Sequence, residues 1–115
     1  MADEIINKLT ADFLKSMAHP VRVKVINMLE PGERCVCELV EGIDIEQSNL
    51  SQHLAVMKRQ GLIDSRKEGT KVFYRVTTPA VLEVLRAVER AIGDQISQSQ
   101  NILKYLRQRG EQNAD

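Results

Sequence analysis

The stretch from Gly32 to Thr77 constrains this chain most: two helical runs separated by a tight turn precede two alternating runs joined at Glu68-Gly69-Thr70. The second helical run contains Gln47-Ser48-Asn49-Leu50-Ser51-Gln52-His53-Leu54. Leu50, Leu54 and Met57 recur at helical spacing and form its buried face, and Gln60-Gly61 ends it. The remaining positions present amides and hydroxyls, and such a division between polar and apolar sides suits a helix lying in a DNA groove. The runs Leu62–Lys67 and Lys71–Thr77 are short, contain Val, Phe, Tyr and Ile, and flank a glycine turn, which predicts a β-hairpin.

Upstream, Ile5, Leu9 and Phe13, with Ile6 and Met17 beside them, predict a first helix. His19-Pro20 signals the start of a second, carried by Val21, Val25, Met28 and Leu29 to Pro31-Gly32. A short third helix is expected from about Glu33 to Val40, with Gly42 and Asp44 in the turn after it. Asp44 and Gln47 have the spacing of a capping box that would open the fourth helix. From Pro79 onward, Val81, Leu85, Val88, Ile92, Ile96, Leu103 and Leu106 keep a four-three spacing, broken only by Gly93 and Ser99. At about 1.5 Å per residue such a helix is roughly 40 Å long, more than one small domain covers. Its stripe calls for a partner, and the competing arrangement is a helix bent at Gly93 and folded back. The fold class expected is mainly α with a small β-hairpin: a winged helix-turn-helix, one domain over residues 1–115, dimerising through its N- and C-terminal helices. A homodimer would set two recognition helices about 34 Å apart, for successive major grooves. Only the tail from Arg109 to Asp115 reads as disordered.

The formal charge is zero, yet distribution matters more than the sum. Between Lys58 and Arg75, the six positive charges of Lys58, Arg59, Arg66, Lys67, Lys71 and Arg75 face two negative ones, Asp64 and Glu68, leaving +4 where the recognition helix ends and the wing begins. Phosphate contacts supply much of DNA affinity, so this concentration fits a DNA partner. Early acids and the absence of a long apolar run at the N-terminus predict neither a secretory signal nor a membrane span, hence a cytoplasmic protein. In a reducing compartment two cysteines read as reactive thiols or metal ligands rather than a structural disulfide.

Several segments together resemble the ArsR/SmtB family of winged-helix repressors: Ala18-His19-Pro20-Val21-Arg22, Cys35-Val36-Cys37-Glu38-Leu39, Gln47-Ser48 through Ser51-Gln52-His53-Leu54, Gly61-Leu62-Ile63, Glu68-Gly69 and Tyr74-Arg75. The resemblance implies a cytoplasmic homodimer that occupies a double-stranded DNA operator with an inverted repeat, without enzymatic activity. It implies release when a metal, metalloid or thiol-reactive effector binds. By the same resemblance Ser48, Asn49, Ser51 and Gln52, following Gln47, face base edges or phosphates. Asn and Gln pair bidentately with adenine, and Ser bonds a base or a phosphate. Arg66, Lys67, Lys71 and Arg75 would hold phosphates or reach a minor groove, beside Lys58 and Arg59. His53 has two readings, a DNA contact or a packing and capping role, and His19 reads as a helix-start residue.

Cys35 and Cys37 are the sensor candidates, near the start of a helix and beside Arg34, where thiolate is favoured. Residues two apart on an ideal helix point about 200° apart, so both sulfurs reach one ion only if the helix start is extended or unwinds. The family's arsenic-sensing pattern often has a third cysteine, and Val40 stands at that position. The pair suits a monosubstituted trivalent arsenical, Cu(I) or another soft metal, or oxidation with no metal at all. No His follows His53, so the family's carboxylate and His site on the last helix lacks its imidazole. Competing readings are cysteines serving as small apolar residues, and a helical metal-binding or protein-interaction module without DNA contact. A dithiol redox enzyme lacks the strand-helix-strand context and any acid-base constellation.

Overall fold

In the computed structural model, which describes residues 1–112, His19 adopts extended backbone and its Nδ1 accepts the Val21 N–H at 3.1 Å, with Pro20 following in the first turn. This opens α2 (Pro20–Leu29) after α1 (Ala2–Met17). The order continues through β1 (Arg34–Cys35), α3 (Val36–Gly42), α4 (Gln47–Arg59), β2 (Ile63–Glu68), β3 (Lys71–Val76) and α5 (Pro79–Gln112). Packing divides the chain into one unit over Met1–Leu82 and a second from Glu83 onward.

In the first unit, Val25, Ile26, Leu39, Leu50, Leu54, Met57, Leu62 and Ile63 are buried in an aliphatic core. Gly61, at φ +80°, ends α4: the Leu62 N–H reaches the Met57 carbonyl and the Gly61 N–H that of Lys58, each at 3.0 Å. This pair of bonds is the Schellman arrangement, for which glycine is favoured because it adopts positive φ without a Cβ penalty. The chain then enters β2, and Gly69 at φ +63° makes the turn to β3, with Glu68 opposite Lys71 and Ile63 opposite Val76.

Two local expectations are corrected. Residues 34 and 35 are not helical: they form β1, with Arg34 opposite Tyr74 and Cys35 opposite Phe73, so the hairpin belongs to a three-stranded antiparallel sheet ordered β1-β3-β2. Asp44 does not cap α4. The Ile45 N–H bonds the Ile43 carbonyl at 2.8 Å, placing Asp44 at the apex of a three-residue turn that follows the buried Ile43. Glu46 becomes the N-cap, without a side-chain bond.

The stripe expected along α5 divides sharply. Val81 and Leu85 are buried, whereas Val88, Ile92, Ile96, Leu103 and Leu106 are about half exposed, at 49–54%. The helix runs through Gly93 without a break. It also includes residues 109–112 of the tail read as disordered, and residues 113–115 of that expectation lie outside the described residues.

Candidate nucleic-acid interface and thiol pair

On α4, Leu50, Leu54 and Met57 face the core, and Gln47, Ser48, Asn49, Ser51 and Gln52 are exposed together on the outside. The three apolar positions share a helix face because they lie four and three residues apart, which forces the intervening amides and hydroxyls outward. His53 departs from that set. It is half-buried, its Nδ1 accepts the Arg22 Nε–H at 3.0 Å, and its ring lies 4.3 Å from that of His19. Burial, then the charges of His19 and Arg22, hold its pKa below the ordinary histidine value.

The basic residues divide as well. Arg66 is bound by Glu33 through Nε at 2.9 and 3.1 Å and through a further short contact, and by Glu68 at 2.7 Å. Its guanidinium also stands 4.7 Å from the Phe73 ring centre. Arg75 pairs with Asp64 at 3.8 Å, as the register across β2 and β3 dictates, and Lys58 donates to the Ser65 hydroxyl at 2.7 Å. Arg59, Lys67 and Lys71 form no ion pair among the described residues. Lys71 stands opposite Glu68 across the hairpin and near enough to Glu38 to act on it, without a direct pair, while Arg66 is held by two carboxylates. Glu33, the main partner of Arg66, escaped sequence reasoning because it lies 33 positions away.

The expectation of two free thiols is corrected: Cys35 and Cys37 are joined as a disulfide. No unwinding is needed to bring the sulfurs together, because Cys35 is the N-cap of α3 in extended backbone, φ −66° and ψ 148°, and only Cys37 is inside the helix. The Cys35 Sγ accepts the Cys37 N–H at 3.1 Å, and Glu38 reaches back to the Cys35 N–H at 3.3 Å. Arg34, expected to favour thiolate, is instead bound to Glu38 at 2.9 Å and to the Met28 carbonyl. That pairing, followed by the Cys35 N–H, holds the Glu38 carboxyl below the usual carboxylate range. Among the described residues no three His, Cys, Asp or Glu side chains converge, so a three-ligand metal centre does not fit, and a soft metal would meet two sulfurs after reduction.

The disulfide opens onto a groove of about 560 Å³ bordered by α3, the start of α4 and the wing. Gln47 and Ser51 line one side, Lys71 and Tyr74 the other. Tyr74 and Val72 join it because alternate residues of β3 share a face, a signal legible in the sequence once the strand is fixed.

The bacterial regulatory protein, arsR family, matches residues 19–65. The HTH-type transcriptional regulator Rv0081 of Mycobacterium tuberculosis is 33% identical over 111 residues, 96% of this chain and 97% of that one. Its crystal structure superposes with a TM-score of 0.74 over 82% of this chain and 95% of that chain. The transcriptional repressor BigR from Xylella fastidiosa, 33% identical, superposes with a TM-score of 0.67 over 79% and 96%. A homodimeric winged helix-turn-helix DNA-binding domain from Mycobacterium bovis, 23% identical, shares the fold with a TM-score of 0.74 over 84% and 89%. With its helix-turn-helix, three-stranded wing and near full-length likeness to such regulators, the chain belongs to the ArsR family of winged helix-turn-helix transcriptional regulators and is not an enzyme.

Proposed function

We propose that this chain is a homodimeric repressor of the cytoplasm that occupies an inverted-repeat DNA operator and is released when a thiophilic effector, a metalloid, soft metal, reactive sulfur species or oxidant, acts at Cys35 and Cys37. One observation carries the reading: Cys35 and Cys37, joined as a disulfide, share a groove with Gln47 and Ser51 of the recognition helix and Lys71 of the wing. Chemistry at sulfur therefore alters the surface that meets DNA. Gln47, Ser48, Asn49, Ser51 and Gln52 read base edges and adjacent phosphates, and Lys67, Lys71 and Arg59 supply phosphate contacts. Lys58, Arg66 and Arg75, held by protein partners, shape the wing and add charge at its rim. His53 orients α4 from behind. The exposed stripe of α5 and the apolar residues Ile5, Ile6 and Leu9 of α1 supply the dimer interface.

Selection of bound sequences from a random DNA pool tests the first half and should return an imperfect inverted repeat. Titrating that complex with arsenite, a monosubstituted arsenical, Cu(I), peroxide and persulfide tests the second. Cys35→Ser and Cys37→Ser should bind the selected DNA as the parent does, since serine is a good N-cap in place of Cys35 and Cys37 lies exposed in the first turn, so the helix stays intact. Release should be lost, at a coupling of about 1–3 kcal/mol. Undiminished release of the double serine variant would place the signal elsewhere.

A further inference from the structure

The groove at the thiol pair is far larger than an ion requires. About 560 Å³ falls in the range of sites for small organic molecules. Its walls are mixed: Val36, Val40 and Val72 are apolar, Gln47, Ser51 and Tyr74 are polar, and Lys71 is the one charged side chain among the described lining residues. No carboxylate lines it, and the nearby Glu38, which follows Cys37, is paired with Arg34, so Lys71 is the charge an anionic ligand meets in the groove. The two sulfurs differ. Cys35 is 5% exposed and its Sγ accepts a backbone N–H, whereas Cys37 is exposed to solvent.

We propose that this groove binds a low-molecular-weight thiol bearing a carboxylate and holds it as a mixed disulfide on Cys37. The inference rests on the reading of the pair as the sensor and adds a further ligand class to it, one that acts on the disulfide form. The incoming thiolate attacks the Cys37 Sγ, forming a new S–S bond, and the Cys35–Cys37 bond breaks with its electron pair leaving on the Cys35 Sγ. There the Cys37 N–H stabilises the thiolate until it takes a proton from water. One thiol and one disulfide give one thiol and one disulfide, so no further oxidant or reductant is consumed. Attack by Cys35 on the Cys37 Sγ reverses the step and expels the ligand. The adduct fills the space between Gln47, Ser51 and Lys71, so it excludes a DNA backbone directly, without a shift of α4.

Equal thiolate concentrations of glutathione, neutral 2-mercaptoethanol and cationic cysteamine, applied to the disulfide-form protein and followed by intact mass and peptide mapping, test the site. A single adduct on Cys37 is expected, with glutathione favoured over cysteamine by about two- to fivefold, the size of one exposed charge pairing. Lys71→Ala should remove that preference. Equal labelling of Cys35, or an unchanged preference in Lys71→Ala, overturns the proposal. Cys35→Ser treated with oxidised glutathione traps the adduct, because the thiol that would expel it is gone. The loaded variant should bind selected operator DNA about tenfold or more weakly than the same variant unloaded, within the usual range of coupling. Equal binding of the two forms overturns the exclusion mechanism, whereas no DNA binding by unloaded protein overturns the operator reading and leaves the labelling result to decide the thiol site.

Discussion

The His19 and His53 rings stand 4.3 Å apart with planes tilted by 43°, so the cap of α2 packs against the middle of the recognition helix. Arg22 completes the junction, binding the His53 Nδ1 at 3.0 Å and the Ser16 carbonyl at 3.3 Å. Only neutral His53 offers Nδ1 as an acceptor, and a proton there would face Arg22.

This junction predicts a pH dependence of folding. Burial, with His19 and Arg22, depresses the folded pKa of His53, while an unfolded histidine titrates near 6.5. Between the two values the unfolded chain binds more protons than the fold. Stability is therefore full above about 6.5, falls as pH drops through the folded value, and levels off below it. One proton limits the slope to about 1.4 kcal/mol per pH unit. Urea midpoints measured in steps from about pH 8 to 5 should fall as pH drops, within that limit, and His53→Gln should flatten the fall.

Gln52 is exposed on the outer face of α4. Gln52→Ala should weaken binding to the selected operator by roughly 1–3 kcal/mol and relax preference at one base position, the size of a lost bidentate contact. Fluorescence anisotropy on operator and scrambled DNA separates outcomes: an equal loss on both removes Gln52 from base reading.

Lys71 and Arg66 should behave differently although both lie on the wing. Lys71→Ala should weaken binding to all sequences and reduce the slope of log affinity against log salt by about 0.9, one phosphate contact. Arg66→Ala should leave that slope nearly unchanged, because Glu33 and Glu68 already hold its charge. A slope that falls as much for Arg66→Ala would show that DNA displaces both carboxylates.

Ile96 is 53% exposed in the middle of the α5 stripe. Ile96→Glu should split the dimer and abolish specific binding, since one half-site alone loses the paired recognition. Sedimentation equilibrium at micromolar concentration should give a dimer for the parent chain and a monomer for the variant. A monomeric parent sinks the dimer reading.

Long elements were legible in the sequence because their signals are local and repeated. Leu50, Leu54 and Met57 specify both α4 and its exposed polar face, His19-Pro20 marks the start of α2, and Gly61 and Gly69 mark two of the three glycine positions with positive φ. The helix-turn-helix, the hairpin and the polar face of α4 follow from such patterns alone. A two-residue strand has no period to read: β1 exists because Arg34 and Cys35 pair with Tyr74 and Phe73, nearly forty positions along the chain. With the backbone at Cys35 extended, that residue caps α3 and its sulfur reaches Cys37; the sequence named an extended helix start as one of two conditions for this, and the structure has it. Tertiary structure alone likewise gave Arg66 to Glu33, tied His53 to Arg22, and divided the α5 stripe between buried Leu85 and exposed Val88. Sequence fixes which way a side chain leaves its own element; which group it meets depends on contacts between distant segments, and those form only when the chain folds.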